Sequence, residues 1–109
     1  MRALIAAPPP PRYQARGLYS CAMSLWLRML LVTGPPDDVS ALAPRHREQV
    51  RGLAARGKLR AAGELGRGDG FVEIFEAADR REAEDVLRAS PLVEAGLCST
   101  LLREWIDAS

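Results

Sequence analysis

The chain has 109 residues, 48% of them apolar and 27% charged, with fifteen basic side chains against fourteen acidic ones for a net charge of +1. That length supports one domain with a modest core, and that charge balance gives no general attraction to nucleic acid or to an anionic membrane surface. No run approaches the roughly 18 consecutive apolar residues of a membrane-spanning helix, so a soluble protein with neither kind of partner is expected.

Residues 1–22 hold Pro8 to Pro11 and scattered arginines but no acid, and they follow neither structural period. They are expected to form a partly polyproline extension, or to lie outside the working protein if synthesis starts at Met23. The apolar run Ala3 to Ala7 is too short for a secretory signal. Cys21 and Cys98 are too far apart for a metal spacing or a disulfide framework, which together predicts a cytoplasmic protein with reduced thiols.

The folded unit is expected over residues 23–109. Ser24 to Thr33 is a short apolar run closed by Gly34-Pro35-Pro36, the pattern of a buried strand. One face carries Leu25, Leu27, Met29 and Leu31, the other Trp26, Arg28, Leu30 and Val32, so both faces need covering. A helix follows, with Asp37, Asp38 or Ser40 as its cap and Pro44 in its opening turn. Leu42, His46, Val50, Leu53 and Ala54 recur at intervals of three or four, which puts them on one face. Arg45, Arg47, Glu48, Arg51 and Arg56 should face water, and Gly57 should end the helix.

Leu59 to Leu65 and Phe71 to Ala77 read as strands joined by the glycine-rich turn Gly66 to Gly70. Arg67-Gly68-Asp69 within it has the residue types a turn requires, which explains it better than an adhesion motif. Asp79 and Glu82 have capping-box spacing for a second helix that buries Ala83, Val86 and Leu87 and stops near Ala89, ahead of Pro91. Gly96 to Ile106 supplies a fourth strand. The order strand, helix, strand, strand, helix, strand predicts an α+β, ferredoxin-like fold: a four-stranded antiparallel sheet with two helices on one face. Its bare face would be apolar, so a homodimer through the sheet faces is expected.

The chemistry centres on His46, the single histidine. On an apolar helix face it is either satisfied by a neighbouring carbonyl or poised as an acid/base, since imidazole exchanges protons near neutral pH. One histidine and two distant cysteines do not make a metal site, and a haem on His46 would need a larger cleft than this fold offers. No cofactor is expected. Ser90, beside Pro91, fits a helix-terminating residue better than a nucleophile. Arg28, in the middle of an apolar strand, must be paired: it either anchors an anionic ligand or meets Glu73 or Glu104. Trp26 and Trp105 fit core or interface positions better than a cavity wall.

Three blocks in order, H-R-E-Q-V-R-G-L-A-A-R-G-K-L-R-A-A-G at His46 to Gly63, G-F-V-E-I-F-E-A-A-D-R-R-E-A-E at Gly70 to Glu84, and S-P-L-V-E-A-G-L at Ser90 to Leu97, resemble the YCII-related proteins of the dimeric α+β barrel group. The resemblance implies that His46 is the family's helix-one histidine, working with an aspartate in a cleft between helices and sheet. This chain departs from the pattern at two places, with Ser90-Pro91 for Asp-Pro and Gly63-Glu64 for Gly-Pro. His46 and Ser90 are therefore the expected catalytic positions, and Arg28 and Glu64 the expected substrate contacts, with Glu64 a substitute for the lost acid.

Two functions follow as expectations. One is a small cofactor-free lyase or isomerase using His46 as general acid/base on a small organic substrate. The other is a non-catalytic dimeric domain that binds a small ligand or a protein partner, its histidine–aspartate dyad having decayed.

Overall fold

The computed structural model describes residues 23–106, so Cys21 and the 1–22 extension lie outside the described residues. The elements are β1 (Ser24–Val32), α1 (Pro36–Ala55), β2 (Leu59–Leu65), β3 (Gly70–Ala77), α2 (Arg80–Arg88), α3 (Pro91–Glu94) and β4 (Cys98–Trp105). All strand pairs are antiparallel and the sheet order is β2-β3-β1-β4. This is the expected ferredoxin-like arrangement, with one addition: the short helix α3.

Alternation sorts the strands into two faces. Trp26, Arg28 and Leu30 of β1 and Phe71, Glu73, Phe75 and Ala77 of β3 are buried against the helices. Two clusters fill that layer, Trp26, Phe75, Ala83 and Leu102 under α2, and Leu30, Val39, Ala43, Phe71 and Leu92 under α1 and α3. On the other face, Leu27 lies opposite Ile74, and Met29 opposite both Val72 and Leu101. These side chains are only half buried, and Trp105 is 43% exposed.

Helix α1 buries Val39, Ala43, His46 and Leu53, a stripe at alternating steps of four, three and seven residues, with Val50 half buried between. Ala54, expected on this stripe, is exposed. The start of the helix also differs from expectation. Pro35 occupies the cap position without a side-chain hydrogen bond, and Pro36 opens the helix, because a missing N–H costs nothing in the first turn. Asp37 and Asp38 therefore lie inside that turn, facing the positive end of the helix dipole rather than capping it. Pro44 consequently falls in the helix interior, where it has no N–H for the carbonyl one turn back. Pro44 is exposed, so Pro44→Ala is expected to stabilise the fold by about 2 kcal/mol, the interior-proline penalty less the lost chain stiffness. Urea denaturation measures this, and an unchanged midpoint would show that the helix bends without loss at this point.

The helix ends as expected. Gly57 adopts φ +72°, and its N–H bonds to Ala54 O. At the other end of the hairpin, Gly70 is required by proximity, since a Cβ there would overlap the Leu30 carbonyl oxygen. In α2, the Asp79 carboxylate accepts from Glu82 N at 2.9 Å, while Glu82 reaches back to Ala78 N at 2.5 Å. Ser90-Pro91 does more than end that helix. Ser90 caps α3, its Oγ accepting from Leu92 N at 3.2 Å, with Pro91 in the tolerant first position. This added turn fixes the Ser90 hydroxyl in the interior, beside α1.

Candidate functional site

Four polar side chains, from β1, α1, β3 and the junction of α2 and α3, meet between α1 and the sheet, and Arg28, His46, Glu73 and Ser90 are each at most 1% exposed. Arg28 and Glu73 are direct cross-strand partners in the β1–β3 ladder, and Arg28 Nε donates to Glu73 Oε1 at 2.6 Å. The other guanidinium nitrogens donate to Val86 O at 2.8 Å and to Gln49 Oε1 at 3.0 Å. Glu73 Oε2 lies 3.0 Å from His46 Nε2, and Ser90 Oγ lies 2.8 Å from His46 Nδ1. Burying so much charge is tolerable only because each group is matched.

The contacts limit where the hydrogens can be. Against an ionised Glu73 carboxylate, which only accepts, Nε2 carries the proton between them. When the ring is neutral, Nδ1 then accepts the Ser90 hydroxyl hydrogen, and when it is protonated, Nδ1 donates to Ser90 Oγ; in either case Oγ keeps a lone pair for Leu92 N. The ring is further fixed by Phe71, 4.4 Å away between centroids and tilted by 50°.

A cleft of about 260 Å³ opens beside this cluster between α1, β2 and β3. Its lining includes His46 and Glu73, whose side chains lie just beneath its surface, the apolar Val50, Ala62 and Phe71, and the exposed Arg47, Arg51 and Glu64. Arg47 Nε donates to Glu64 Oε2 at 2.7 Å and Nη2 to Oε1 at 3.2 Å. That guanidinium holds the Glu64 carboxyl below its ordinary range and is itself shifted upward by the pair.

The structure brings His46 and Ser90 into direct contact and separates the other two candidates. Glu64 lines the cleft, but it bonds to Arg47 rather than replacing the acid beside His46. The carboxylate that reaches the imidazole is Glu73. Arg28 is absent from the cleft lining and has no exposed surface, because Glu73, Gln49 and the Val86 carbonyl take up its donors. Of its two anticipated partners, Glu104 instead sits exposed across from Trp26. Glu73 could have been found as an acid-site residue from its parity, since it falls between Phe71 and Phe75 on an inward-facing alternation. Gln49, which seats Arg28, carried no comparable signal.

Among the described residues no group of three histidine, cysteine or acidic side chains is arranged to hold a metal ion. No described helix is long and apolar enough to cross a membrane. Cys98 is half buried, and burial raises its thiol above the ordinary cysteine value.

A YCII-related domain model matches residues 26–106, which include every element bearing on the cleft. The chain belongs to the YCII-related family. No curated protein matches it. Among solved structures, it is similar to 5-chloro-2-hydroxyhydroquinone dehydrochlorinase from Burkholderia phenoliruptrix, solved in complex with 2,5-dihydroxybenzoquinone. The identity is 23% and the TM-score 0.67, over 77% of this chain and 95% of that one. A structure described as an antibiotic biosynthesis monooxygenase is 18% identical with a TM-score of 0.53, covering 80% of this chain and 100% of the other. These likenesses place the fold of this YCII-related chain among α+β proteins of the same architecture.

Proposed function

We propose that this YCII-related protein is a small cofactor-free enzyme of lyase or isomerase type, in which His46 and Glu73 together exchange a proton with a small organic substrate. The observation that supports this most is the buried imidazole joined to a carboxylate just beneath the surface of an open cleft. Glu73 takes the part of the aspartate that the family resemblance places where Ser90 stands, but from the opposite ring nitrogen. Arg28 keeps Glu73 in position from below. A proton taken up by the pair returns to a different atom of the same molecule in an isomerisation, or is retained while a leaving group departs in a lyase reaction. The cleft suits a ligand smaller than a drug-sized molecule, and a hydroxylated six-membered ring such as the one bound by the dehydrochlorinase is of a suitable size.

A second reading has one observation in its favour: both ring nitrogens of His46 are already bonded within the fold, as in a domain that binds its ligand without reacting it. A thermal-shift screen of small carboxylates, phenols and lactones, run on the wild type and His46→Ala, tests the site. A ligand present at 100 times its Kd stabilises by about 2.7 kcal/mol. The proposal expects hits that weaken in the variant and are converted by the wild type. Hits that bind His46→Ala as well and are never converted would favour the binding domain.

The same reading makes the protein a cytoplasmic homodimer. The half-buried Leu27, Met29, Val72, Ile74 and Leu101 on the helix-free face form a patch of the kind a second sheet covers. Sedimentation equilibrium should give twice the 11.9 kDa chain mass, and a folded monomer across the accessible concentration range would refute the dimer.

A further inference from the structure

We infer that the cleft selects a small organic anion, an apolar ring-sized body carrying a carboxylate, with Arg51 as the residue that takes its charge. This rests on the proposed use of the cleft and concerns what enters it. Charge is unevenly distributed around the cleft. Each carboxylate at the cleft has its own arginine: Glu73 is paired with Arg28 beneath the wall, and Glu64 with Arg47 at the mouth. Arg51 also lines the cleft, is exposed, and has no ion-pair partner among the described residues. It lies one helical turn beyond Arg47 on α1, so its head reaches the same opening. One positive charge is therefore left over at the rim of a depression whose low-dielectric walls concentrate its field.

The rest of the lining limits what the anion carries. Val50, Phe71 and Ala62 offer apolar surface between the rim and the buried polar pair, enough for the body of a small ring but not for a second charged group. A ligand seated with its carboxylate on Arg51 therefore directs its far end toward the part of the lining beneath which His46 and Glu73 lie. Arg47 is less suited to the task, since two hydrogen bonds to Glu64 already occupy it.

Isothermal titration of the full chain with benzoate, benzyl alcohol and benzylamine, with amide NMR to locate the site, tests this. Benzoate should bind at the cleft, perturbing Ala62 and Phe71, and about two- to fivefold tighter than the neutral ring, the size expected for one partly screened charge pair, and tighter again than the cationic ring. Arg51→Gln should remove that preference and Arg51→Lys restore most of it. Ala62 lies opposite Glu73 across the β2–β3 ladder and is exposed, so Ala62→Leu can fill the cleft without disturbing the core and should abolish binding. Equal affinity for the three probes, no binding of benzoate, an unaltered affinity in Arg51→Gln, or wild-type binding in Ala62→Leu would each overturn the inference. None of these results depends on turnover. The proton-transfer reading fails separately, if His46→Ala keeps full activity on its substrate.

Discussion

Arg28→Met is expected to destabilise the fold by about 3–5 kcal/mol, because it leaves the Glu73 carboxylate buried with only an imidazole N–H for company. That is a large share of the roughly 5–15 kcal/mol that holds a domain of this kind together. The reason lies in geometry rather than in charge attraction as such. Arg28 and Glu73 are opposite one another on neighbouring strands, both without meaningful solvent contact, and the guanidinium also satisfies the Val86 carbonyl and Gln49. Removing both charges together is a different matter, since well-packed apolar pairs often replace buried ion pairs at no cost. Arg28→Met/Glu73→Leu should therefore regain most of the loss while remaining about 1–3 kcal/mol below wild type, the cost of the His46 N–H left without an acceptor. Urea denaturation of the two variants measures both. A single variant as stable as wild type would mean that Glu73 is not charged in the folded state.

His46→Ala is expected to lower turnover about 10²–10⁴-fold on a substrate delivered by the ligand screen, the usual contribution of a positioned acid/base. The variant leaves Glu73 paired with Arg28 and Ser90 still capping α3, but it also leaves Glu73 Oε2 without its N–H donor, at a stability cost of about 1–3 kcal/mol. Turnover is therefore compared at a temperature where both proteins are folded, so that a loss is chemical rather than structural. His46→Gln makes the distinction sharper, since its amide can still donate a hydrogen bond to Glu73 but cannot carry a proton to and fro. Both variants should show the same loss in kcat with the fold intact by circular dichroism. Activity kept by His46→Gln would show that the imidazole serves only to position its neighbours.

The sequence made the framework legible wherever one physical rule dominated. Short apolar runs bounded by glycine and proline marked β1 and β3, glycines marked the hairpin and the end of α1, and the Asp79–Glu82 spacing marked the start of α2. It failed where two rules competed. Pro44 suits an opening turn because interior prolines are costly, yet Pro35 and Pro36 start the helix earlier, and the buried stripe through Ala43 and His46 outweighs one lost hydrogen bond. Ser90-Pro91 has the pattern of a stop, while the same two residues are also a good cap and first position for α3.

The site divides in the same way. His46 and Ser90 could be named from the helix face and the family blocks, because both lie on contiguous, patterned segments. That Glu73 would reach His46 Nε2 could not be read without the register of β3 against β1 and the height of α1 above it. Glu64 was the nearer choice in the motif, but Ala62 and Glu64 stand over the cleft opening, where Arg47 meets the carboxylate first.

The account turns on the His46 ring, and nitrogen-15 NMR of the labelled imidazole tests it most directly. In the free protein it predicts a hydrogen on Nε2, bonded to Glu73, and a bare Nδ1 that accepts from Ser90; on addition of benzoate or a converted substrate, both ring signals should move together with those of Phe71 and Ala62. A hydrogen on Nδ1 alone, or a ring left unperturbed by a ligand that fills the cleft, would contradict it.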